Sequence, residues 1–135
     1  MTITDTGPLV ALIDANDPAH TACVSALGRL PEAPLLTTWP CFAEAMYLLY
    51  REGGHRAQDE LWEFVQDGLL QLHTPTEAEQ GRMRELMRKY QDTPMDLADA
   101  SLVVLAEARN QRLIFTIDSD FSVYRLRRDA FEVVP

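Results

Sequence analysis

The sequence predicts an α/β protein, a three-layer α/β/α sandwich with a central parallel sheet. Two observations carry this expectation. Short runs of apolar, β-branched and threonine residues, such as Ile3-Thr4 and Ile114-Phe115-Thr116-Ile117, alternate along the chain with longer segments of helical periodicity. Successive strands are therefore joined through helices, and crossovers of about a dozen residues or more give a parallel sheet covered on both faces.

Residues 1–5 read as the first strand, broken at Thr6-Gly7-Pro8, and the apolar run 9–13 as a short helix with Pro8 in its first turn. Asp17-Pro18 opens a second helix to about residue 30, closed by Pro31 and Pro34. Residues 35–38 make a brief strand. Pro40 then starts a strongly apolar helix to about Arg51, ended by Gly53-Gly54, and a further helix over about 56–67 turns Leu61, Phe64 and Val65 to one side before Gly68. A strand follows at 69–73. Thr76 and Glu79 form a capping-box pattern at the head of a helix to about Tyr90, weakened by Gly81. Asp96 begins a helix to about Asn110. Residues 113–117 and 131–134 are the last strands, with one or two helical turns expected over 121–127.

The 135 residues, 47% hydrophobic and 24% charged, have ordinary globular proportions and suit one domain, residues 1–135, without repeat or linker. Residues 1–5 lack the basic region and apolar core of an export signal, and no apolar stretch approaches the roughly 20 residues that cross a bilayer. A cytoplasmic protein with no membrane partner is expected. Cys23 and Cys41 have no CxxC spacing, and with His20, His55 and His73 scattered along the chain they make no zinc pattern. Both cysteines are expected in the core. A net charge of −9 argues against a nucleic-acid partner held by basic side chains alone. It is compatible with carboxylates that hold divalent cations, which in turn attract phosphate.

Acids at strand ends are the first candidates, because open parallel sheets bind ligands beyond the carboxyl ends of their strands. Asp5 and Asp118 each follow a strand, although an aspartate there often serves only a turn or cap. Glu44 is the only charged residue in Trp39–Tyr50, so a mostly buried helix would force its carboxylate to find a cation or donors. Asp99 is again one acid in an apolar helix. Asp96, one turn earlier, is expected as N-cap and as a residue at the edge of the same acidic pocket. Two carboxylates about 4 Å apart repel by about 4 kcal/mol at an effective dielectric near 20, so such a group is either dispersed or holds metal. Oxygen-only ligands favour Mg²⁺ or Mn²⁺, and phosphodiester hydrolysis is the chemistry such ions commonly serve.

Asp5-Thr6, Glu44 in its apolar helix, Ala98-Asp99-Ala100 and Thr116-Ile117-Asp118-Ser119-Asp120-Phe121 together resemble the PIN-domain pattern, and among its members the VapC-like toxins of type II toxin–antitoxin systems. The resemblance covers the whole chain. It implies an α/β/α fold that gathers Asp5, Glu44, Asp99 and Asp118 as catalytic metal ligands for one or two Mg²⁺ or Mn²⁺ ions. Thr6 and Thr116 match the family's hydroxyl positions, where they orient a carboxylate or water. Asp120 either helps the site or caps the turn into Phe121, the simpler role. The implied activity is endoribonuclease cleavage of an RNA substrate by metal-activated water, with a cognate antitoxin as partner and a homodimer as assembly.

Basic side chains at Arg82, Arg84, Arg88, Lys89, Arg125, Arg127 and Arg128 could reach RNA, but solvated helix faces are the simpler expectation. Rival readings fit less well. A phosphoacceptor receiver needs a lysine near a late strand end, and the only lysine is Lys89 within a helix; the dehalogenase DxD motif is missing at Asp5-Thr6-Gly7. The remaining alternative is a non-catalytic PIN-like module that binds RNA or protein.

Overall fold

The computed structural model describes residues 1–127 and 129–135, so Arg128, one of the basic candidates, lies outside the described residues. Strand β1 (Thr2–Thr4) leads through α1 (Thr6–Ile13) and α2 (His20–Leu27) to β2 (Leu35–Thr38), and α3 (Trp39–Gln66) leads to β3 (Leu70–His73). Helices α4 (Glu77–Lys89) and α5 (Leu97–Arg109) precede β4 (Leu113–Phe115). A 3-10 turn at Ser119–Ser122, a ribbon of β5 (Arg125–Leu126) and β6 (Asp129–Ala130), and β7 (Glu132–Val134) follow.

The five main strands run parallel in the order β3-β2-β1-β4-β7. The strands are short and alternate their side chains between two apolar cores. Leu35 and Phe115 pack with α1, α2 and α3, while Leu36 and Ile114 pack with α4 and α5. The sandwich thus has helices on both faces of the sheet. Cys23 and Cys41 are both buried and unpaired. No helix among the described residues is long and apolar enough to cross a membrane.

Strand order places the reactive end. From central β1 the chain moves outward to β2 and β3 on one side, then returns to add β4 and β7 on the other. The connections leaving β1 and β4 therefore diverge, opening a crevice beyond their carboxyl ends. The two strands stay paired to that point, where the Asp5 N–H donates to the Phe115 carbonyl at 2.9 Å.

Several local expectations need correction. The second helix begins at His20 rather than Asp17, because the Asp17 carboxylate accepts the Ala19 N–H at 2.8 Å and holds residues 17–19 in a turn. By contrast, the break expected at Gly53-Gly54 is present: α3 is two helical stretches that meet at Gly54, whose φ of 66° and ψ of −159° are not helical. Strand β4 ends at Phe115, not residue 117. The segment 121–127 does not continue as helix: the Arg125 guanidinium takes the carbonyls of Ser122, Val123 and Tyr124, and the chain turns into the β5–β6 ribbon. Helix α4 runs through Gly81 without a break.

Candidate active site

Three helical starts converge on the crevice, and each is capped by an acid. Asp5 ends β1 and caps α1, its Oδ1 accepting the Thr6 N–H at 2.7 Å. Pro8 fits the first turn, where its missing N–H leaves no helical bond unmade. Asp96 caps α5 by accepting the Asp99 N–H at 2.8 Å, and the Asp99 carboxylate reaches back to the Asp96 N–H at 3.4 Å. Asp118 caps the 3-10 turn by accepting the Asp120 N–H at 2.9 Å. Capping and convergence have one cause here. Each carboxylate satisfies a helix-end donor, and the strand ends bring those helix ends together.

Thr116 ties two of these acids into one unit. Its hydroxyl donates to Asp5 Oδ2 at 2.7 Å and accepts the Asp118 N–H at 3.0 Å. Thr6 makes a similar link on the other side, its hydroxyl lying 3.3 Å from the Cys41 carbonyl and 3.4 Å from Glu44 Oε2. Asp99 is held by Tyr124, whose phenol donates to Asp99 Oδ2 at 3.1 Å.

The resulting cleft has a volume of about 560 Å³ and is lined by Asp5, Glu44, Asp96, Asp99 and Asp118, with Thr6 between them. Asp17 lines it too, a residue that sequence reasoning took only for a helix start. Nothing in its linear context separates it from an ordinary turn aspartate. Among the described residues no Arg, Lys or His lines the cleft. A hollow of about 290 Å³ beside α5 differs in this respect, because Arg112 and Arg127 line it together with Glu107 and Asp129.

Burial separates the acids. Asp5 is 7% exposed and Asp99 8%. Burial, partly offset by the Thr116 and Thr6 bonds, pushes Asp5 up from 3.8 to about 6, with the charges of Asp118 and Glu44 adding to the rise. Burial also pushes Asp99 up to about 7, helped by the neighbouring charges of Asp96 and Asp5. Burial, then the Asp99 charge, keeps the Tyr124 phenol protonated and therefore a donor.

Glu44 departs from the expectation that led to it. It is exposed, as is Tyr47 beside it, so no buried carboxylate forces a partner; Glu44 stands on the cleft wall on an exposed stripe of α3. Asp120 is not among the cleft residues, and the turn into Phe121 is capped by Asp118 instead. The histidines also lie elsewhere: His20 bonds the Ala11 carbonyl, His73 pairs with Glu79 at 2.8 Å, and His55 is exposed. Arg82 is engaged by Glu107 and Glu85, and Arg127 by Glu107. Arg84, Arg88 and Lys89 stay exposed on α4.

The donor set fits a hard divalent cation. It consists of carboxylate and hydroxyl oxygens, with two acids whose ionisation is opposed by burial and by like charge. Among the described residues no three of these side chains are grouped tightly enough to cage an ion by themselves.

Comparison with known proteins places these features in context. The PIN domain model matches residues 2–126. Ribonuclease VapC26 of Mycobacterium tuberculosis is 31% identical over 135 residues, spanning 98% of this chain and 99% of that protein. The crystal structure of M. tuberculosis VapC20, described as a toxin that cleaves the sarcin–ricin loop, superposes with a TM-score of 0.83 at 20% identity, over 91% of this chain and 94% of that one. A toxin–antitoxin complex from Klebsiella pneumoniae gives 0.73 at 15% identity, over 100% of this chain and 97% of that one.

Proposed function

Since the chain belongs to the PIN-domain family, we propose that it is a metal-dependent endoribonuclease and the toxin of a toxin–antitoxin pair. One observation carries this reading: the carboxylates of Asp5, Glu44, Asp99 and Asp118 share an open cleft at the strand ends with no basic side chain to neutralise them among the described residues.

In this reading those four acids hold one or two Mg²⁺ or Mn²⁺ ions. Bound there, a divalent cation lowers the pKa of water and offsets the charge that builds on the phosphate oxygens. The protein's own groups supply orientation. The Thr6 N–H and the Thr116 hydroxyl hold one oxygen each of the Asp5 carboxylate, which fixes its orientation in the cleft wall. Thr116 and the 3-10 turn hold Asp118 beside it, and Glu44 stands at the exposed rim within reach of Thr6. Gly7 lets the cleft floor approach closely: a β-carbon there would lie 2.6 Å from Ile117. Ser119 lines the cleft, but among the described residues no histidine stands there to take a proton from its hydroxyl, which suits attack by water.

An RNA substrate, a cognate antitoxin, cytoplasmic action and a homodimer belong to the same reading. The test is cleavage of a panel of single-stranded and hairpin RNAs by protein stripped of metal. Cleavage should be absent in EDTA, return with Mg²⁺ or Mn²⁺, and need no Zn²⁺. Full activity in excess EDTA would overturn the mechanism. Binding of metal and RNA without cleavage of any panel member would favour the non-catalytic module.

A further inference from the structure

Tyr124 stands outside the acidic pattern, on the segment between the 3-10 turn and the β5–β6 ribbon, and its side chain is fully buried. Its ring is fixed on two sides by edge-to-face contacts, with Tyr90 at 5.1 Å and Phe121 at 5.2 Å between centroids. Tyr90 is anchored in turn, its hydroxyl accepting the Arg125 N–H at 3.1 Å. A ring wedged in this way has one position for its hydroxyl. That position is 3.1 Å from Asp99 Oδ2 and 3.5 Å from the Pro94 carbonyl.

Asp99 receives two bonds, from Tyr124 and from the Asp96 N–H, and both fall on Oδ2. Among the described residues no donor reaches Oδ1. The carboxylate of this cleft residue is therefore clamped through one oxygen, while the other carries no protein bond among the described residues. The Asp96 N–H bond, at 3.4 Å, is the longer of the two, so the phenol is the closer constraint on the rotation of the carboxylate.

We propose that Tyr124 is a positioning residue that holds Asp99 through Oδ2 so that Oδ1 is presented as a metal ligand. The proposal rests on the reading of Asp99 as a ligand. Groups that orient a ligating side chain commonly alter metal affinity or activity by about 10- to 100-fold when removed, and a buried phenol bonded to one carboxylate oxygen is such a group. The aromatic packing gives the device rigidity: it is built on the ribbon side of α5, away from the cleft residues on α1 and α3.

The experiment measures Mn²⁺ binding to the intact protein by electron paramagnetic resonance, independently of cleavage, in wild type, Tyr124→Phe, Tyr90→Phe and Asp99→Asn. Tyr124→Phe should weaken Mn²⁺ binding about tenfold, and Tyr90→Phe, which loosens the adjoining ring but leaves the Tyr124–Asp99 bond in place, should weaken it by distinctly less. In an Asp99→Asn background the Tyr124→Phe effect should vanish. Equal binding by wild type and Tyr124→Phe, with Asp99→Asn impaired, would overturn the positioning role while sparing the site. Equal effects of the two tyrosine substitutions would make it simple packing. Unimpaired binding by Asp99→Asn would instead remove the reading of Asp99 on which the proposal stands.

A second measurement needs no variant of Tyr124. With tyrosine ring carbons labelled and Tyr47, Tyr50 and Tyr90 assigned by replacement, Mg²⁺ should shift the Tyr124 Cζ resonance. A resonance unmoved at saturating Mg²⁺ would refute the link.

Discussion

The Thr116 hydroxyl donates to Asp5 Oδ2 across 2.7 Å, joining the ends of two adjacent strands whose residues stand 111 apart in sequence. The Thr116 hydroxyl oxygen also accepts the Asp118 N–H, so one small side chain sets the spacing of two cleft acids.

Replacing that hydroxyl separates orientation from shape. Thr116→Val should lower kcat about tenfold or more, as loss of a group that orients a ligand commonly does, while circular dichroism stays native. Stability should fall by about 1–3 kcal/mol, since a buried carboxylate oxygen loses its donor. Thr116→Ser should recover most of both. Wild-type kcat in Thr116→Val, measured at saturating metal and RNA, would mean that Asp5 needs no such support.

The buried acids make metal-free stability depend on pH in an unusual direction. Asp5 and Asp99 are raised from 3.8 to about 6 and about 7, so between about pH 4 and pH 7 the folded chain holds protons that the unfolded chain has lost. Their contribution is present in full below pH 3.8 and is lost as pH rises through 6 and 7. Metal-free protein should therefore melt about 5 °C higher near pH 5 than near pH 7.5. Added Mg²⁺ should reverse the trend, because the ligands must be deprotonated to bind it. Differential scanning calorimetry with and without EDTA reads both slopes.

Asp99→Asn removes a proposed metal ligand and a charge together. Cleavage should fall by about 100-fold or more, yet metal-free protein near pH 7.5 should melt higher than wild type, because the burial of an ionised group and its repulsion by Asp96 and Asp5 are both relieved. Its metal-free melting temperature should also vary less with pH. Retention of most activity in a single-turnover assay would place the reactive centre elsewhere.

An antitoxin segment carrying Arg or Lys should be drawn to the same carboxylates. Stopped-flow association with the cognate antitoxin should slow about tenfold from low to high salt, and Asp5→Asn and Asp99→Asn should weaken the complex. A salt-independent association rate, with affinity unchanged in both variants, would assign inhibition to apolar contacts away from the cleft.

Legibility followed the physical range of each signal. The capping pair of Thr76 with Glu79 and the N-cap at Asp96 were readable because a helix start is satisfied by its own first turn, whereas the return bond from Asp99 to Asp96 was not. Glu44 was singled out on a burial argument that the structure does not support; it is exposed, and its place on the cleft wall depends on how α3 lies against α1. Asp17 and Tyr124 were missed for a related reason. One looks like any turn aspartate and the other like any core aromatic, until the fold sets them beside the cleft and beside Asp99.

By itself the sequence determined the alternation of strands and helices, hence the parallel sandwich, and it marked Asp5 and Asp118 at strand ends, because hydrophobic period, turn residues and caps act within a few residues of themselves. Only the tertiary structure decided the strand order β3-β2-β1-β4-β7, which makes β1 and β4 neighbours, and with it the bond from Thr116 to Asp5 and the clamp of Tyr124 on Asp99. Those contacts join segments tens of residues apart. They form because each face of the sheet must bury its own apolar core, and no local pattern encodes where two such distant segments will meet.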